Sequence, residues 1–144
     1  MKEMLADPFR LQRFVEAQNP VFEQVRTELK QGHKRGHWMW FIFPQIAGLG
    51  TSEISKRFAI SSGAEAVAYL QHPVLGKRLE ECADLVLKLS GKSAYDIFGT
   101  PDDMKFRSCM TLFAQVSPKT PVFEGNLKKY FDGVPDPRTR MQIL

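Results

Sequence analysis

Gly32–Ser52 reads GHKRGHWMWFIFPQIAGLGTS, and how this stretch folds decides the architecture. It holds both tryptophans of the chain, two of its three histidines and four of its ten glycines. Trp38, Met39, Trp40, Phe41, Ile42 and Phe43 form an unbroken apolar run, with Lys34 and Arg35 before it and Pro44 after it. A run this short fits a buried strand or a buried helical turn, so periodicity does not choose between them. Aromatic propensity favours strand. The rest of the chain, however, contains no second convincing strand to pair with it. A short helix or an irregular buried segment is therefore expected. Pro44 limits it, because proline disfavours helical geometry in the residue before it.

Outward from this stretch the chain reads as helices. Asp7-Pro8 and Asn19-Pro20 both have the form of a helix start, a capping side chain followed by a proline that tolerates the first turn. Phe9, Phe14, Val15 and Ala17 mark the buried side of the first helix, and Val21, Phe22, Val25 and Leu29 that of the second. Gly32 is expected to end the second in a left-handed conformation. On the other side, Ser52 caps a short helix through Phe58. Ser62 and Glu65 have capping-box spacing for a helix to about Gln71. His72-Pro73 breaks that helix and begins the longest, about Pro73 to Ser90. Its stripe is Leu75, Leu79, Cys82, Val86 and Leu89. Ser93 caps a turn over Ala94–Phe98, which Gly99 stops. Thr100-Pro101-Asp102-Asp103 supplies a cap, a proline and two acids at the positive end of a helix dipole. Phe106, Cys109, Met110 and Phe113 face the core. A further helix covers about Phe123–Tyr130, and Asp136-Pro137 starts a last one. The expected fold is all-α, one globular domain over 1–144, with seven or eight short helices around a buried aromatic centre.

Composition bounds the function. The 144 residues are 43% hydrophobic and 25% charged, values of a globular chain. The start, MKEMLADPFRLQRF, lacks the apolar core of a signal peptide, and no apolar run approaches the length of a membrane span. Cys82 and Cys109 lie in helical patterns without metal-ligand spacing, so reduced buried thiols, a cytoplasmic location and no metal site are expected. The formal net charge is +4. Between Gln31 and Arg57, four basic residues (Lys34, Arg35, Lys56, Arg57) stand against Glu53 alone, which places +3 in that window. Such a window can attract an anionic ligand such as a phosphate, or be plain solvated surface. It is a small footprint for nucleic acid, which is not the expected partner.

The candidate site residues surround the apolar run. His37 is the one plausible acid–base group, although a histidine there more often caps backbone at a core edge. Trp38 and Trp40 can form a stacking wall for a flat ligand or simply fill the core. Gln45 must find partners if buried, in backbone or in a ligand. GLGTS, Gly48 to Ser52, has the glycines and hydroxyls of a phosphate-cradling loop, but it is not GxxxxGK followed by Ser or Thr. An ordinary glycine turn with a serine cap explains it more simply. Lys105, Ser108 and Thr111 are spaced to share roughly one helix face. A mid-helix Ser or Thr usually bonds back to a carbonyl. Asp102 and Asp103 read as helix-start acids rather than a catalytic pair. No Ser–His–Asp assembly has motif support, since Ser61 and Ser62 do not lie in GxSxG.

GHKRGHWMWFIFPQIAGLGTS, AYLQHPVLGKRL and DIFGTPDDMKFRSCMTLF together resemble the bacterial family known as domain of unknown function DUF1810. The resemblance runs from DPFRLQRFVEAQ onward, with DPRTRMQIL the least family-like part. It implies a compact, mainly α-helical domain and no particular activity or cofactor. Some members carry the label calpastatin, but calpastatin-type inhibitors are long and disordered, unlike this chain. The functional expectation is a pocket between the 32–52 segment and the 101–116 helix that binds a small anionic or nucleotide-like ligand. Its candidate contacts are Lys34, His37, Trp38, Trp40, Gln45, Lys105 and Ser108. The alternative is a non-catalytic interaction or homo-oligomerisation module whose aromatic run is partly exposed.

Overall fold

A computed structural model describes residues 6–143, and within them the chain is all-α. The elements are α1 (Gln12–Gln18), α2 (Phe22–Gln31), α3 (Met39–Ile42), α4 (Glu53–Arg57), α5 (Gly63–Gln71), α6 (Leu75–Leu87), α7 (Ala94–Phe98), α8 (Asp102–Val116), α9 (Pro121–Phe131) and α10 (Pro137–Ile143). The described helices number ten rather than seven or eight, because α3, α4 and α7 are single turns of four or five residues. The one β-type feature among the described residues is an isolated parallel bridge, Ile46 to Ile60.

The apolar run is the short buried helix α3. Its neighbours explain why. Two aromatic ladders leave the stretch and run through the core, with ring centroids at the separations aromatic pairs favour. One passes from Phe41 to Phe58 (5.3 Å), then Phe14 (5.7 Å), Tyr69 (5.1 Å), Phe113 (5.6 Å) and Phe123 (5.7 Å). The other joins Trp38 to Phe43 (6.2 Å), Phe43 to Phe106 (5.0 Å) and Phe106 to Phe98 (4.7 Å). The run must present rings to both sides. A helical turn does so without the pairing partners a strand would require.

The centre of the molecule is α8, which packs against α5, α7, α9 and α10, while α6 closes the far side against α2, α5 and α9. At fifteen residues α8 is the longest helix; α6, expected to be longest, has thirteen. His72 Nδ1 accepts from the amides of Val74 and Leu75 and the His72 carbonyl from the Gly76 amide, so the imidazole caps a turn through Pro73, and α6 itself runs from Leu75, two residues later than expected. Immediately after it, a Cβ on Gly76 would lie 2.0 Å from the carbonyl oxygen of Leu70. Only glycine permits that crossing of α5 and α6.

Several caps act as the sequence predicts. Ser52 and Ser62 accept from the amides of Ser55 and Glu65, and Ser93 forms a full capping box with Asp96. Others shift. Asp7 accepts from the amides of Leu11 and Gln12, so it caps α1 across an intervening turn, and α1 starts at Gln12. Glu65 bonds Ser61 and pairs with Arg13 (3.1 Å) instead of closing its own box. Thr100 does not cap α8, because Pro101 occupies the cap position after a cis peptide bond.

Candidate functional site

The turn after α2 is built on a residue whose sequence position gives no hint of its role. Gly32, at φ 73°, reverses the chain and brings Arg35, Gly36 and Trp38 back over Glu28. Oε1 of Glu28 accepts from the amides of Arg35 (2.7 Å) and Gly36 (3.0 Å) and from the Trp38 indole N–H (2.9 Å); Oε2 accepts from Gln24 (2.7 Å). Burial is the largest single influence on this carboxyl and opposes its ionisation, but the four donors together outweigh it and hold it at about 2. Lys34 completes the brace. Its ammonium pairs with Asp102 at the start of α8 (2.8 Å), donates to the Gly36 carbonyl (2.6 Å) and lies 5.1 Å from the Trp38 ring centroid.

This brace sorts the candidate residues. Trp38 is 1% exposed and belongs to the core, not to a ligand wall. Lys34 is consumed by Asp102 and Gly36. His37 is exposed and does not line the cleft described next, which leaves acid–base chemistry there without its one candidate. Successive residues of a helical turn rotate by about 100°, so two residues two apart face nearly opposite ways. Ile42, buried inside α3, therefore sets Trp40, two residues before it, toward the opposite side, while Trp38 stands at the N-cap just outside the helix.

Trp40 faces a cleft of about 530 Å³ between the 45–59 segment, α8 and the start of α10. The Lys105 ammonium lies 4.8 Å from the Trp40 ring centroid, within cation–π range, and 3.5 Å from Asp102. Gln45 lines the cleft because the Ile46–Ile60 bridge buries Ile46 and adjacent extended residues point to opposite sides. The Ile60 amide fixes the Gln45 carbonyl (2.8 Å). Leu49, Gly50, Thr51 and Ser52 of the glycine loop form the opposite wall with Ser55 and Phe58. Ser108, one turn from Lys105, also lines the cleft. Its single hydroxyl proton lies between the Met104 carbonyl (3.1 Å), the expected partner of a mid-helix serine, and Asp136 Oδ2 (2.9 Å). Thr111 does not join them: it is fully buried and ties the chain before α10 to α8 by accepting from the Asp136 amide (2.9 Å).

The structure thus gathers Trp40, Gln45, Lys105 and Ser108, and leaves out Lys34, His37 and Trp38. It adds two residues that sequence reasoning missed, Asp136 and Arg138. Asp136-Pro137 is legible as a helix start, and Asp136 does accept from the Thr139 amide (3.2 Å). Nothing local tells that this cap faces a loop some ninety positions earlier. Arg138 reaches that loop directly, toward the carbonyls of Gly48 (3.5 Å) and Leu49 (3.3 Å). The cations of the cleft are therefore Lys105 and Arg138 rather than the basic window at 31–57, where Lys56 and Arg57 are exposed outside it. Among the described residues, no three His, Cys, Asp or Glu side chains converge to hold a metal ion, and no helix is long and apolar enough to cross a membrane.

These features define a compact all-α protein with an aromatic, cation-bearing cleft against its longest helix. The chain belongs to the family described as protein of unknown function (DUF1810), whose model matches residues 8–143. The match runs through Asp136 and Arg138. A solved structure, that of the conserved hypothetical protein Rv1873 from Mycobacterium tuberculosis, is similar with 52% identity and a TM-score of 0.94, covering 95% of this chain and 98% of that one. No curated protein matches the chain.

Proposed function

We propose that this protein binds a small anionic, nucleotide-like ligand in the cleft beside Trp40. The observation that carries the reading is the pairing of Trp40 with Lys105 at 4.8 Å in a cleft of about 530 Å³. That volume is in the range of small-molecule sites. The ring offers a face to a flat group, and the ammonium stands beside it where an attached anion would lie. Lys105 is held only loosely, at 3.5 Å from a carboxylate already engaged by Lys34, so it can turn to a ligand at small cost. Gln45 offers both a donor and an acceptor in the same cleft. Enclosure of Trp38 in the core and the concave setting of Trp40 favour this reading over an interaction module built on an exposed aromatic run. A cytoplasmic setting accords with the two buried free thiols, Cys82 and Cys109. We assign no reaction.

The test is thermal denaturation against a panel of nucleotides and phosphorylated metabolites. A ligand at a hundred times its Kd stabilises by about 2.7 kcal/mol, several degrees for a domain of this size. The same ligand should change the tryptophan fluorescence of the native protein and leave that of Trp40→Phe unchanged. Lys105→Ala should remove most of the thermal shift. No stabilisation by any member of the panel would refute the reading.

A further inference from the structure

Asp136 is a carboxylate in a cleft that otherwise offers cations and neutral groups. Its three protein bonds, from Ser108 Oγ (2.9 Å), the Thr139 amide (3.2 Å) and Thr139 Oγ1 (2.5 Å), all fall on Oδ2. Oδ1 accepts none of the hydrogen bonds among the described residues, and no ion pair there takes up the Asp136 charge. Arg138 points to the Gly48 and Leu49 carbonyls instead. An ionised carboxylate only accepts, with capacity on both oxygens. Oδ2 is therefore filled by the protein, which fixes the group's orientation, and Oδ1 of this half-buried side chain remains for water or for a ligand donor that displaces it. That donor cannot be on a phosphate, which Asp136 repels. It must be on a neutral, hydroxyl- or amine-bearing part of the ligand.

We propose that Asp136 reads the sugar of the ligand, and that the cleft selects a ribonucleoside monophosphate. This rests on the binding reading above and sharpens it. With Trp40 available to the base and Gln45 in the same cleft for the base edge, the ribose is the part left for Asp136. Its neighbouring hydroxyls supply the O–H donors that a fixed carboxylate oxygen requires. Charge sets the rest. Lys105 and Arg138 against Asp136 leave a net +1, and Asp102 draws further on Lys105. One phosphate monoester brings about −2, which the two cations match when Asp136 is turned to the uncharged sugar. A triphosphate would bring excess negative charge against Asp136 with nothing to neutralise it.

The experiment is calorimetric titration of the full chain with AMP, GMP, CMP and UMP, their 2′- and 3′-deoxy counterparts, and ATP. At least one ribonucleoside monophosphate should bind roughly tenfold or more tightly than its deoxy forms, the effect of losing a hydrogen bond to a charged group. It should also bind more tightly than ATP. Asp136→Asn keeps a helix-capping oxygen, and Asp136→Ser keeps a capping hydroxyl, so both should fold with a Tm close to wild type. In both, the preference for ribose over deoxyribose should fall below twofold. Equal binding of ribo and deoxy forms by the wild type, or a preference that survives in both variants, would overturn the role of Asp136 while leaving nucleotide binding intact. Absence of binding by every nucleotide, with Tm unchanged by all of them, would overturn both readings.

Discussion

Replacing Glu28 by glutamine should lower stability at neutral pH and do so less and less as pH falls. The glutamine can keep its carbonyl oxygen where Oε1 accepts from Arg35, Gly36 and Trp38, so the shape of the turn survives. It loses the charge that strengthens those bonds, and it sets an NH₂ against the Gln24 amide that now donates to Oε2. The magnitude follows from the carboxyl itself. It ionises at about 2 rather than at its ordinary 4.5, although burial, the largest influence, works the other way. At 1.36 kcal/mol per tenfold, that displacement is worth roughly 3 kcal/mol. A depressed carboxyl contributes stability that is fully present above its unfolded value and is lost as pH falls through its folded value. The difference between wild type and Glu28→Gln should thus be about 2–3 kcal/mol from pH 7 down to pH 5. It should shrink below 4.5 and largely vanish near 2. Urea unfolding at pH 7, 5, 3.5 and 2.5, followed by tryptophan fluorescence, measures it. Using the difference between the two proteins removes the contribution of the other carboxylates. A gap of the same size at pH 7 and 2.5, or no gap at pH 7, would show that the four donors do not hold Glu28 ionised.

Gly76→Ala should cost stability although alanine is the better helix former. Its Cβ would meet the Leu70 carbonyl oxygen at 2.0 Å and carbon at 2.9 Å, both backbone, so α5 and α6 must separate. Overpacking of this kind costs roughly 1–3 kcal/mol or more, against about 1 kcal/mol of propensity gained. Gly63→Ala, whose nearest contact would be Val116 Cγ1 at 3.8 Å, serves as the near-neutral control; a Tm for Gly76→Ala at or above wild type would contradict the close crossing. Cys82 and Cys109 are both buried, and burial pushes the Cys82 thiol up to about 12 and that of Cys109 well above its ordinary value. A chromogenic disulfide reagent should therefore titrate two thiols in urea and none in the first minutes under native conditions. A rapid native reaction would place one of them at the surface.

Much of the fold was legible because its signals are local. Ser52, Ser62, Ser93 and Gly32 each act within three or four residues of themselves, and each does what its position predicts. The boundaries that moved are those set by something further away or by competition within a turn. Asp7 reaches amides four and five residues on, so α1 starts late. The His72 imidazole caps the amides of Val74 and Leu75, so a capped turn stands between Pro73 and the start of α6 at Leu75. Glu65 has the spacing to close a box with Ser62, but it is spent on Ser61 and on Arg13, fifty-two positions earlier. Spacing shows what a side chain can reach. It does not show which partner holds it once the chain has closed.

The candidate site divides along the same line. A list of aromatic, basic and amide groups in one stretch treats Trp38 and Trp40 as equals, and so it does Lys34 and Lys105. What separates them is Glu28, a buried carboxylate near the end of α2 that no motif in the sequence marks. By accepting the Trp38 indole N–H it commits that ring to the core just before α3 begins, and within α3 Trp40 lies opposite the buried Ile42 and meets the cleft. By drawing in Arg35 and Gly36 it swings Lys34 onto Asp102, which removes one cation from any site and fixes the start of α8 from which Lys105 projects. One buried carboxylate thus decides which half of the aromatic stretch is structure and which half is free to meet a ligand. The charge of the cleft then has to come from helices remote in sequence. Lys105 and Arg138 supply it, and the basic residues nearest the tryptophans do not.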